Sequence, residues 1–111
     1  MSSSAPDTSF YVRISIKKAE YTYVLRHDIT SLCYQHGDYA ENSAVELCFS
    51  FDEHAFLIKK GERLRIDVAS TDDNTYVCHT NKKGEYYLQD QTDIAENKLY
   101  LDGSYIVLPV E

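Results

Sequence analysis

The stretch Phe10-Tyr11-Val12-Arg13-Ile14-Ser15-Ile16-Lys17 places a large apolar side chain at every second position. A period of two is typical of an extended strand whose side chains point alternately to the two faces of a sheet. Residues 45–52 and 62–68 repeat the pattern, so each of these strands presents several large apolar side chains on one face. Burying each such side chain is worth about 1.5 to 3 kcal/mol, which requires an opposing apolar layer. We therefore predict an all-β fold, an antiparallel β-sandwich in which each sheet buries one face.

Weaker patterns predict further short elements. Strands are indicated at residues 21–26, 31–34, 98–101 and 105–108. Asp102-Gly103-Ser104 indicates a tight hairpin turn between the last two strands, since Gly103 tolerates a positive φ. One short helix is predicted within residues 52–60, capped by Asp52 and ended by Gly61.

Length, charge and targeting signals limit the class of protein. A chain of 111 residues predicts a single domain over residues 1–111. The net charge of −7 predicts no nucleic-acid partner, because phosphate binding depends on clustered Lys and Arg. No apolar run approaches the roughly 18 residues of a membrane span and no export signal is visible, so we predict no membrane partner and a cytoplasmic location. The three cysteines have no disulfide or zinc spacing, which is typical of reduced cytosolic thiols.

The sequence lacks the motifs of common catalytic and metal sites. An α/β-hydrolase nucleophile requires a G-x-S-x-G elbow, which this sequence does not contain, so we predict no catalytic residue in this chain. The four histidines and three cysteines also lack zinc-site spacing, and we predict no cofactor and no metal. The best calcium candidates lack the spacing of a binding loop, which favours a solvated turn. These candidates are Asp67, Asp72, Asp73 and Asn74.

The tyrosines suggest a different kind of surface. The chain has ten tyrosines, four phenylalanines and no tryptophan. Tyr76, Tyr86 and Tyr87 are candidates for a sugar-binding platform or a partner interface, because their rings combine an apolar body with a polar tip. One interpretation of the chain is therefore a free-standing carbohydrate- or ligand-binding β-sandwich module.

Four segments, in order along the chain, resemble one protein family. They are residues 4–14 with Ala5-Pro6-Asp7-Thr8, residues 56–70, the loop that begins His79-Thr80-Asn81, and residues 97–110 with Leu108-Pro109-Val110. Together they are similar to the C-terminal, non-catalytic domain of the Xaa-Pro dipeptidyl-peptidase and cocaine-esterase-like serine hydrolases. The chain departs from the family pattern at Glu62, where the family usually has His, and at Ser9, where it usually has Asp.

The resemblance implies a jelly-roll, galactose-binding-like domain that packs on an α/β-hydrolase domain and helps to shape its substrate entrance. Members of the family cleave dipeptides after proline or hydrolyse small acyl esters and amides. Their catalytic triad lies in the hydrolase domain, on the same or a separate chain, so the resemblance assigns no catalytic residue here. It does assign structural roles to Arg63, Arg65, the Asn81 loop and the Leu108-Pro109-Val110 end, and Asn81 is a candidate ligand or interface residue.

The resemblance also implies that the jelly roll is truncated at its N-terminal side. In the family this domain begins several strands before the segment that matches residues 4–14. Strands that lose their neighbours expose unpaired N–H and C=O groups, which attract another chain. We therefore expect a homo-oligomer formed through exposed strand edges.

Overall fold

The centre of the fold is a three-stranded antiparallel sheet in which β2 (Ser9–Lys17) lies between β3 (Thr22–Ser31) and β4 (Arg63–Ala69). The computed structural model describes residues 1–52, 55–72, 75–84 and 91–108. Within these residues, β1 (Ser2–Ser3) pairs antiparallel with β5 (Asn97–Lys98) in a second, two-stranded sheet. The helix α1 (Leu32–His36) has five residues. The predicted all-β, antiparallel, sandwich-like fold is confirmed.

The central strand β2 is buried on both of its faces. The predicted core residues Phe10, Val12, Ile14 and Ile16 are all buried. Tyr11 and Ser15, which point to the opposite face, are buried as well. The prediction that this strand has one polar, solvated face was therefore wrong, because the rings of His27 and Tyr76 lie against Tyr11 on that face.

Strand β4 is correctly predicted in position but not in burial. Its register with β2 places Ile66 beside Ile14 and Val68 beside Val12. Ile14 is 7% exposed, whereas Ile66 is 47% and Val68 is 38% exposed. The apolar layer that covers β2 therefore stops short of β4.

Strand β3 confirms the prediction at residues 21–26 but extends to Ser31. Its pairing with β2 contains one irregularity, since Ile14 pairs with Arg26 and Ser15 pairs with Val24. Leu25 is the extra residue, and its side chain is buried against Ile14 and Ile16. This β-bulge turns an additional apolar side chain into the core.

The predicted strand at residues 31–34 is wrong, because α1 occupies this position. The Ser31 hydroxyl accepts a hydrogen bond from the Tyr34 N–H, which caps the first turn of the helix. Gly37 ends the helix with a φ of 66° and donates its N–H to the Cys33 carbonyl. Leu32 packs with Phe10 and Tyr39 in the core, so tertiary burial reinforces these local caps.

Residues 45–52 keep the alternation predicted for a strand but do not pair as one. Val45, Leu47, Phe49 and Phe51 pack against the core, while the four residues between and after them are exposed. Val45 exchanges two backbone hydrogen bonds with Met1, at 2.7 and 2.8 Å. The side-chain amide of Gln35 bonds both the N–H and the carbonyl of Cys48. The segment is therefore held by isolated contacts and not by a ladder.

Two other predicted elements differ from the structure. Residues 55–60 are not helical, and Glu53 and His54 of the predicted helix lie outside the described residues. The turn at Gly103 is present, with a φ of 82° and a hydrogen bond from the Ser104 N–H to the Leu101 carbonyl. The flanking residues 99–101 and 105–108 form no strands, and Pro109 is outside the described residues. In the part of the chain that is described, no helix is long and apolar enough to span a bilayer.

Candidate functional site

The most buried polar cluster joins the N-terminal segment to the loop that contains His79. His79 Nε2 lies 3.1 Å from Asp7 Oδ2, and the side chains are only 3% and 8% exposed. Asp7 Oδ1 accepts a second hydrogen bond from the Cys33 N–H at 2.9 Å. We call Asp7, His79 and their hydrogen-bonded neighbours the Asp7–His79 junction.

The hydrogen bonds of His79 determine its tautomer. Its Nδ1 accepts a hydrogen bond from the Asn81 N–H at 2.9 Å, so this nitrogen carries no proton. The proton of the neutral ring is therefore on Nε2, which donates it to Asp7. The pair is a neutral imidazole bonded to a carboxylate.

The charge state of Asp7 follows from the same contacts. Burial favours the neutral carboxyl, but hydrogen bonds from His79 and from the Cys33 N–H outweigh this effect and lower the pKa of Asp7 below its ordinary value of 3.8. Asp7 is therefore ionised at neutral pH, with both oxygens bonded.

The junction is not arranged for nucleophilic catalysis. A catalytic histidine must accept the proton of a serine or cysteine, yet His79 uses Nδ1 on Asn81 and Nε2 on Asp7. The nearby Cys33 thiol donates to the Pro6 carbonyl, and burial raises the pKa of this thiol, which keeps it protonated. The cluster therefore stabilises the structure, and its burial leaves no room for a substrate.

Asn81, predicted as an interface residue, belongs to this junction. It adopts a left-handed conformation with a φ of 65°, which asparagine tolerates better than most residues. Its Oδ1 accepts from the Thr8 hydroxyl at 2.6 Å, and its Nδ2 donates to the Asp93 carbonyl at 2.7 Å. Asn81 therefore connects three separate stretches of the chain.

The N-terminal segment also contacts the region around residue 97. Ser4 donates its N–H to the Glu96 carbonyl, and the Ser4 hydroxyl accepts from the Glu96 N–H. The hydroxyls of Ser2 and Tyr100 are 3.0 Å apart. Three of the four segments that carry the family resemblance therefore meet around residues 2–8.

The other predicted site residues lie apart from this junction or outside the described residues. Tyr76 packs its ring on Tyr11 and His27, with ring centroids 5.9 and 5.8 Å away, and its hydroxyl lies 3.0 Å from His27 Nδ1. Tyr86 and Tyr87 are outside the described residues.

The calcium candidates that can be described are engaged with protein groups. Burial favours the neutral form of Asp67, but hydrogen bonds from Arg65 and Arg13 outweigh it and lower its pKa. The Asp72 carboxylate accepts from the Thr75 hydroxyl at 3.1 Å. Asp73 and Asn74 are outside the described residues. Among the residues that can be described, no three His, Cys, Asp or Glu side chains are grouped as metal ligands.

The sequence interpretation missed an open cleft of about 310 Å³ at the far end of β2. Tyr21 and Tyr23 form one wall, and both rings are largely exposed. The remaining lining residues are Ile16, Lys18, Ala55, Phe56 and Leu57. Lys18 is held by Glu62 at 2.7 Å, so one charged group borders a cleft that is lined by tyrosine rings and aliphatic side chains. No local motif marks this cleft, because its walls come from three separate segments.

The second surface that sequence interpretation missed is apolar and lies near the end of the described chain. We call residues 99–108 the C-terminal apolar segment. Its large apolar side chains are all exposed, and Val107 reaches 78%. These side chains are Leu99, Tyr100, Leu101, Tyr105, Ile106, Val107 and Leu108. So much adjacent apolar surface is unusual for a protein that acts without a partner.

The fold and the buried junction define a small all-β, sandwich-like protein whose best-formed polar cluster is structural. Comparisons with protein-family models, with curated proteins and with solved structures each found no match.

Proposed function

We propose that this chain is a non-catalytic β-sandwich module of a serine hydrolase of the Xaa-Pro dipeptidyl-peptidase or acyl-esterase type. In this proposal it packs on an α/β-hydrolase domain, on the same or a separate chain, and shapes the entrance for substrate. The hydrolase domain supplies the nucleophile, the base and the oxyanion hole. The proposed location is the cytoplasm, where cysteines such as Cys33 and Cys48 stay reduced.

The observation that carries the proposal is the C-terminal apolar segment. Seven large apolar or aromatic side chains within ten residues face solvent there. When a partner removes such a surface from water, the complex is stabilised by about 25 cal/mol per Å² of buried apolar area. A hydrolase domain with a complementary apolar patch is the partner that the sequence resemblance suggests.

The Asp7–His79 junction supports the same proposal in a second way. The segments that resemble the family are far apart in the sequence, and residues 4–14 form direct hydrogen bonds with residues 56–70 and with the loop that begins at His79. Their contact is what a shared structural role for these segments would require.

The first test measures binding to a hydrolase domain. The probe is the α/β-hydrolase domain of an Xaa-Pro dipeptidyl-peptidase expressed without its own C-terminal domain, titrated by calorimetry with this chain. We expect saturable binding that Val107→Glu weakens by about tenfold or more, because it places a charge in the apolar contact. The matched control is Ile94→Glu, which changes an apolar side chain that is 99% exposed outside the segment and should bind like the wild type.

Two outcomes would contradict this proposal. One is the absence of binding at high micromolar concentrations, and the other is equal weakening by Val107→Glu and Ile94→Glu. We also expect the purified chain to leave Xaa-Pro anilides and short acyl esters unhydrolysed. Turnover that persists through purification to homogeneity would place the chemistry in this chain.

A second candidate function, a ligand-binding module, is favoured by the cleft at Tyr21 and Tyr23. The cleft volume of about 310 Å³ falls at the lower end of the range for small-molecule sites, and its aromatic walls can stack on a sugar ring. In this case the isolated chain should bind a soluble oligosaccharide on a glycan array with saturation. Tyr23→Ala should abolish the signal, whereas Tyr34→Ala, an equally simple change at an exposed tyrosine on α1, should leave it intact. A full array without a saturable hit would exclude this function.

A further inference from the structure

The outer edge of β4 is suited to pairing with another strand. Among the described strands, β4 is the last in the sheet order β3-β2-β4 and pairs with β2 alone. Its seven residues keep one unbroken register with β2 from Arg63 to Ala69. A straight edge strand of this kind presents a row of backbone N–H and C=O groups that another strand can pair with.

The sequence of β4 is complementary to itself in the antiparallel direction. A two-fold axis through Ile66 places Ile66 beside its copy and Leu64 beside Val68 of the second chain. The same axis places Arg65 opposite Asp67 of the second chain, and the reverse, so both charged pairs are attractive. A shift by one residue would place unlike side chains opposite each other and lose this match.

The side chains in this register are available for contact. Ile66 and Val68 are 47% and 38% exposed, and the Arg65 side chain is 49% exposed. Arg65 donates through Nε to Asp67 of its own strand at 2.8 Å, and its guanidinium carries further N–H donors. One face of the sheet carries an apolar row, which consists of Val12 and Ile14 on β2 and Leu64, Ile66 and Val68 on β4. Pairing two copies of β4 would therefore extend this apolar row across both chains.

The opposite edge of the sheet is less suited to pairing. Strand β3 contains the bulge at Leu25, and a bulge twists an edge strand away from a straight partner. Its far end is also contacted by α1, since Gln35 Nε2 donates to the Thr30 hydroxyl at 3.2 Å. Among the described residues, β3 therefore carries a bulge and a side-chain contact from α1, whereas the pairing of β4 is regular.

We propose that two copies of this chain associate through antiparallel pairing of β4 about a two-fold axis at Ile66, forming a continuous six-stranded sheet. The partner is a second copy of the same chain, because this register places apolar residues beside apolar residues and Arg65 beside Asp67. This dimer does not depend on the proposed hydrolase function, since it uses the sheet edge and not the C-terminal apolar segment.

The test measures mass by sedimentation equilibrium from low to high micromolar concentration. We expect the wild type to approach twice the 12.8 kDa chain mass and Ile66→Lys to remain at 12.8 kDa, because the substitution places two like charges side by side on the axis. The matched control is Val24→Lys on β3, which changes a side chain that is 44% exposed and should dimerise like the wild type. A wild type that remains a monomer at high micromolar concentration would overturn the proposal, as would dissociation by Val24→Lys but not by Ile66→Lys.

A second variant tests the register and does not alter the apolar row. Arg65→Asp turns both attractive Arg65–Asp67 pairs into repulsive ones, so the dissociation constant should rise about tenfold or more. Asp67 keeps its bond to Arg13 in this variant, and unchanged far-ultraviolet circular dichroism would show that the monomer is folded. An unchanged dissociation constant would refute the register centred on Ile66.

Discussion

Replacing Asp7 with alanine is expected to lower the free energy of unfolding by about 3 kcal/mol. The substitution removes the acceptor of two donors, the part-buried Cys33 N–H and the buried His79 Nε2–H. Each unsatisfied buried donor costs about 1 to 3 kcal/mol. Urea denaturation followed by tyrosine fluorescence or circular dichroism measures the difference.

The matched control is Asp38→Ala. Asp38 also forms an ion pair, with Lys83 at 3.3 Å, but its side chain is exposed to solvent. Its replacement should leave the urea midpoint unchanged within error, because exposed ion pairs contribute little. Equal effects of the two substitutions would mean that the Asp7–His79 junction does not stabilise the fold.

The pH dependence of the free energy of unfolding supplies a second measurement of how much Asp7 stabilises the fold. Its folded-state pKa lies below the ordinary value of 3.8, so an ionised Asp7 stabilises the native state at neutral pH. This contribution is fully present above the unfolded-state pKa and is lost as the pH falls through the lower, folded-state pKa. Asp7→Asn lacks this titration, and its amide can accept from only one of the two donors. The stability difference between wild type and Asp7→Asn should therefore shrink as the pH is lowered below about 4.

The sequence pattern predicts the positions of strands β2 and β4 better than the burial of their faces. Alternation places β2 and β4 correctly, because the two faces of a strand follow directly from backbone geometry. The alternation of apolar side chains does not reveal what packs on the polar face of a strand, and for this reason the burial of Tyr11 beside His27 and Tyr76 was missed. The helix α1 was missed because a five-residue helix carries too little periodicity, although Ser31 and Gly37 are a recognisable cap and stop.

The Asp7–His79 junction could not be predicted from the residues themselves. Its two central side chains are 72 positions apart, and neither belongs to a local motif that would mark the other as a partner. A histidine without zinc or catalytic spacing gives no sign that it will be buried. The resemblance to the hydrolase family singled out residues 4–14 and the Asn81 loop, but it did not indicate that they touch. Only the return of the chain beside its own N-terminal segment creates this site.

Ile14→Ala and Ile66→Ala are expected to differ widely in their effect on stability, although the two residues are neighbours. Both are isoleucines on the same face of the sheet, and they are directly paired in the register of β2 with β4. Ile14 is 7% exposed and packs with Ile16 and Leu25, so its truncation should cost about 3 kcal/mol. Ile66 is 47% exposed, so its truncation should cost less than about 1 kcal/mol in the monomer.

Urea denaturation at low micromolar concentration measures the free energy of unfolding of the two variants, since the protein is then monomeric and association does not contribute. Ile14→Ala alone should show a large decrease in midpoint with an unchanged m-value. Similar losses for both variants would mean that another layer covers β4 in solution, and that the apolar row of β4 is not accessible to a partner. A small loss at Ile66 at low concentration, growing as the concentration rises, is the result that dimerisation through β4 requires, because association adds burial only where the monomer leaves the side chain exposed.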